Sequence, residues 1–117
     1  MPSVEQQDWD LVLAEWDFVP LLTEYAQDRA NPMEKRFEAF SALMVLQRSV
    51  ASTPDAERKK MINQEIERVV LEDREFARQS CGDWFGGVEA LIVRRILGEA
   101  IPDDIPRWMH EEAQNRA

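Results

Sequence analysis

The side chains with the widest chemical range are scarce. The 117 residues contain one histidine, His110, and one cysteine, Cys81. Nucleophilic catalysis needs a nucleophile, a base and an orienting group that converge. None of the phosphate-cradling, nucleophile-elbow or zinc-protease spacings occurs to supply them. His110, between Met109 and Glu111 near the C-terminal end, reads as a surface residue of a last helix. Structural zinc takes four nitrogen or sulfur ligands, more than one His and one Cys provide, and the paired E-x-x-H motifs of di-iron bundles are absent. Asp103-Asp104, flanked by Pro102 and Pro106, reads as a solvated turn. The expectation is therefore no metal, no cofactor and no enzymatic activity.

Cys81 precedes Gly82, close to the expected start of a helix at Val88. A thiol at a helix N-terminus can have a lowered pKa, but no Lys or His lies nearby in sequence, so a small residue in a packed turn is the preferred reading. The Gly82–Gly87 loop before that helix offers free backbone N–H groups. It contains Asp83 and no Lys or Arg, so it is poorly suited to an anion, and Trp84 and Phe85 read as plugs under a core.

Two charges fall where apolar residues belong. At 100° per residue, Asp73 lies amid Ile62, Ile66, Val69, Phe76 and Ala77, and Arg95 amid Trp84, Val88, Leu91 and Ile92. A charge in such a place must be paired or reach water. Asp73 and Arg95 are thus candidate buried charges sharing an inter-helix space. The competing readings are a helix break that makes Asp73 an N-cap, and an Arg95 that buries its stem and extends its head to solvent. Four tryptophans, Trp9, Trp16, Trp84 and Trp108, also fall on apolar stripes, so core is their default. Trp9 and Trp16 differ in being ringed by carboxylates, as binding hot spots are.

The elements that position these residues read as helices throughout. Glycines number four, and good helix formers dominate. Ser3 and Gln6 form a capping box before the stripe Trp9, Val12, Leu13 and Trp16, which predicts a helix over about 4–16. Asp17 is a cap for a second helix over about 18–29, with Pro20 in its first turn and Phe18, Leu22, Tyr25 and Ala26 as its stripe. Asn31-Pro32 starts a third over about 32–51, whose apolar arc exceeds a surface helix's and marks it as central. Thr53-Pro54 starts a long charged helix over about 54–79. Cys81–Gly87 interrupts helicity, Val88–Leu97 resumes it with Gly98 as a stop, and a last helix covers about 106–114 before a frayed end. The expected fold is all-α: one domain over 1–117, bundle-like, with five or six helices packed around the one at about 32–51.

Charge narrows the partners. Lys and Arg number 14 against 23 Asp and Glu, a net charge of −9. Residues 1–30 hold seven acids against Arg29 alone, a balance of −6, so two-thirds of the net charge sits in the first quarter of the chain. Nucleic-acid affinity comes from neutralising phosphates with Lys and Arg, and anionic membranes select the same residues, so neither is an expected partner. No apolar run approaches the ~20 residues of a membrane span. The first residues carry no secretory pattern, and a single cysteine points to the cytoplasm.

The expected function is a small acidic protein-binding module that meets a basic partner through an acidic helical face, the physical profile of inhibitors, immunity proteins and antitoxins. The candidate partner-binding residues are Asp8, Glu15 and Glu24, with Trp9 and Trp16. The alternative is a structural or regulatory adaptor that forms a homodimer or larger homo-oligomer through an apolar helix face.

Overall fold

A computed structural model describes residues 18–117. The helix expected over 4–16, its Asp17 cap, and with them Asp8, Trp9, Glu15 and Trp16, lie outside the described residues. The described chain forms six helices and no strand: α1 (Val19–Gln27), α2 (Met33–Ala51), α3 (Ala56–Glu72), α4 (Arg74–Asp83), α5 (Gly87–Leu97) and α6 (Arg107–Arg116). The all-α expectation holds.

α2 buries Phe37, Ala39, Phe40, Leu43, Met44, Leu46 and Val50. It packs against α1, α3 and α6, while α3 reaches α1, α4 and α5. The core between them closes on an aromatic cluster. Phe37 stacks on Phe76 at 4.8 Å between ring centroids, and Phe85 meets Phe40 edge-on at 5.1 Å. Such pairs add to what area burial contributes.

Several boundaries differ from the expectation for identifiable reasons. The charged stretch over 54–79 is two helices. Asp73 leaves helical geometry (φ −141°, ψ 83°), and its carboxylate accepts from the Phe76 N–H at 3.2 Å, ending α3 and capping α4 together. This is the cap reading of Asp73. α3 itself is capped by Asp55, which accepts from the Arg58 N–H at 3.1 Å, while the Thr53 hydroxyl donates back to the Val50 carbonyl. Asn31 does not cap α2. Its side-chain nitrogen donates to the Tyr25 carbonyl at 3.0 Å and closes the end of α1 instead. α4 runs through Cys81 and Gly82 to Asp83, so the expected interruption shrinks to the residues around Phe85. Gly98 is left-handed (φ 74°), and the bonds from the Gly98 N–H to Arg95 O and from the Glu99 N–H to Arg94 O complete a Schellman stop.

The C-terminal end is helical to Arg116 rather than frayed. Arg116 is 3% exposed; it donates to Glu89 at 3.1 Å and to the Met44 carbonyl at 3.2 Å, pinning α6 to α5 and α2. Two tryptophans are not core. Trp108 is 62% exposed, and Trp84 covers Phe37 at 5.7 Å with much of its surface in solvent.

Candidate protein-binding surface

α1 is short, starts with Pro20 in its first turn, and buries Val19, Thr23 and Ala26 at helical spacing. Of the expected stripe, Ala26 is fully buried and Phe18 and Leu22 pack partly buried against the core, while Tyr25 turns outward; Val19 and Thr23 are buried in addition. Leu21 is left 61% exposed and Tyr25 40% exposed, with Glu24 and Asp28 exposed on the same helix or its cap. Glu24 is the one candidate partner-binding residue inside the described region, and it stands in solvent as expected.

Beside this face runs a trough of about 430 Å³. Phe18, Leu21, Leu22 and Tyr25 form its α1 wall; Ala39 and Ala42 line it from α2. Lys35 and Glu38 edge it and pair with each other at 3.3 Å. Both are exposed, and a pair of that kind contributes little to stability. The arrangement is an apolar trough beside a helix that carries one carboxylate, Glu24, with a second, Asp28, at its C-cap.

A charged cluster holds α1, α2 and α4 in place. Arg36, buried on α2, donates through Nε to the Ala26 carbonyl at 2.7 Å and through Nη2 to Asp73 at 3.1 Å. Its guanidinium lies 4.3 Å from the Phe76 ring centroid. Arg29 reaches the same carboxylate oxygen at 3.4 Å. Burial pushes the Asp73 carboxyl up. The Phe76 N–H bond, the Arg36 hydrogen bond and the charges of Arg29 and Arg36 together outweigh it and hold the pKa below the ordinary 3.8.

Asp73 and Arg95, expected to share an inter-helix space, have different partners, and the competing readings hold: Asp73 is a cap and Arg95 reaches solvent. Asp73 answers to Arg36 and Arg29, whereas Arg95 is exposed on α5 and donates to His110 Nδ1 at 3.1 Å. The arginine that meets Asp73 was legible only as a residue of the central helix, 37 positions away. Cys81 is half-buried, and its thiol donates to the Ala90 carbonyl at 3.7 Å. Burial pushes its pKa up, against a reactive thiolate. Among the described residues no three His, Cys, Asp or Glu side chains gather as metal ligands would, and no helix is long and apolar enough to cross a membrane. Compared with known family models, with curated proteins and with solved structures, the chain matches none.

Proposed function

We propose that the chain is a protein-binding module whose α1–α2 trough takes a basic amphipathic helix of a partner protein. The observation that carries this reading is the trough itself: Leu21 and Tyr25 are large apolar side chains held in solvent beside a cleft with alanines in its wall. Charge complementarity selects the partner. Glu24 stands on α1 and Asp28 at its C-cap, and residues 1–30 carry −6 of the net charge. An incoming helix with apolar anchors and Lys or Arg flanking them satisfies both features. Asp8, Glu15, Trp9 and Trp16 extend the same acidic, aromatic composition up to Trp16, two residues before Phe18. The role is binding, of the inhibitor or immunity type, with the partner's basic surface masked in the complex.

A fluorescent Leu/Lys amphipathic helix of about 18 residues is a suitable probe. Its affinity should fall with added salt and exceed that of a scrambled, non-amphipathic isomer. Joint Leu21→Ser and Tyr25→Ser substitution should leave the fold intact and weaken binding by about tenfold, the loss expected of one central anchor. Unchanged affinity in the folded double variant would refute the reading. If the native chain instead grows in mass with concentration and the double variant does not, the occupant of the trough is a second copy of this chain.

A further inference from the structure

α6 turns one large side chain away from the core. Met109, Ala113 and Arg116 recur at helical spacing and pack inward. Trp108 falls off that stripe and is 62% exposed. Among the described residues no aromatic ring and no cation contacts it. Glu111 and Glu112 stand three and four residues further along the helix. Such neighbours lie about 5–6 Å apart at Cβ, and helical side chains lean toward the N-terminus, so the two carboxylates flank the indole. Asp103 and Asp104, both exposed, lie in the turn that leads into α6. Of these four acids, Glu111 alone has an ion pair among the described residues, with Arg107 at 3.1 Å.

We infer that this face of α6 docks an arginine-bearing basic segment of a partner protein, a contact separate from the trough and independent of it. The charges choose the occupant. The face of an indole is the negative part of its quadrupole and attracts a cation, more strongly than any other side-chain ring. Asp103, Asp104 and Glu112 supply negative surroundings that no cation of the described chain neutralises. Arginine fits better than lysine. Its planar guanidinium stacks on the ring while its fork of N–H donors reaches a carboxylate, which a compact ammonium cannot do at once. A second copy of this chain suits the face less, since each copy carries −9. No apolar anchor is needed, so a short arginine peptide should occupy this face and leave the trough empty.

NMR of the full chain tests this, with acetylated tetra-arginine against tetra-lysine of equal charge. Tetra-arginine should shift the Trp108 indole N–H signal saturably and leave the Leu21 and Tyr25 amides unmoved. It should bind about threefold more tightly than tetra-lysine. Trp108→Leu identifies the indole signal by its loss and should leave the melting temperature unchanged. In that variant, followed by the amides of residues 107–112, the two peptides should bind equally. Absence of saturation, equal binding of the two peptides by the native chain, or a response shared evenly by all four indoles would overturn the inference. So would a mass that grows with concentration in the native chain and not in Trp108→Leu, which would seat a second copy on this face.

Discussion

Asp73 shows how one carboxylate can end a helix, start the next and hold a third element. Its pKa is lowered in the folded chain by the Phe76 N–H, Arg36 and Arg29, against the upward push of burial. Between the folded value and the ordinary 3.8 the unfolded chain therefore binds more protons. The stabilisation is complete above that range and is lost as pH falls through the folded value. Denaturant melts from about pH 5 down to about pH 2 should show the native chain losing stability more steeply than Asp73→Asn; parallel curves would contradict the assignment. A double-mutant cycle on Arg36→Met and Asp73→Asn should give a coupling of roughly 1–3 kcal/mol. The same cycle on Asp73 and Arg95 should give none. Phe40, fully buried against Phe76 and Phe85, should lose about 3–5 kcal/mol on substitution by alanine; a loss below about 1 kcal/mol on chemical denaturation would remove it from the core.

At the scale of elements, apolar periodicity and stop signals carried far and partner choice did not. The α2 stripe from Phe37 to Val50 and the Gly98 stop are readable because each depends on neighbours in sequence. The single helix expected over 54–79 ends at Asp73 because its carboxylate takes the Phe76 N–H, the cap that the sequence offered as a competing reading, with Arg36 and Arg29 on the same carboxylate. The face of α1 shows the same limit: Phe18, Leu22 and Ala26 turn toward the core as their spacing implies, but packing on α2 and α3 also buries Val19 and Thr23 and leaves Leu21 and Tyr25 in solvent. The outer wall of the trough depends on that packing, so it was not legible beforehand. The end of α6 was expected to fray because terminal residues do so unless something ties them down. The burial of Arg116 rests on Glu89 and the Met44 carbonyl, both remote in sequence. Arg116→Met should cost about 2 kcal/mol, since Glu89 keeps some solvent access and the Met44 carbonyl loses a charged donor. Hydrogen exchange should quicken across 107–116 before it does in α2, and uniform protection would contradict the anchoring role.

For the molecule as a whole, the uneven charge is the feature that geometry turns into a binding proposal. Charge reversal at Asp8, Glu15 and Glu24 changes the charge of the N-terminal quarter by six units. Glu24 is exposed, so its reversal should shift stability by no more than about 0.5 kcal/mol. Stopped-flow association of the Leu/Lys helix with the triple variant should slow and lose most of its salt dependence; an unchanged rate would reduce the acidic face to a solvated surface. The proposed seat of a basic helix is narrower than this face: the trough between α1 and α2. The most direct measurement is an amide NMR titration of the native chain with that helix. Saturable shifts are expected to concentrate at Phe18, Leu21, Leu22, Tyr25, Ala39 and Ala42 and to weaken as salt is added. Shifts scattered over the whole surface, or centred on Trp84 or α6 with the trough silent, would contradict that seat.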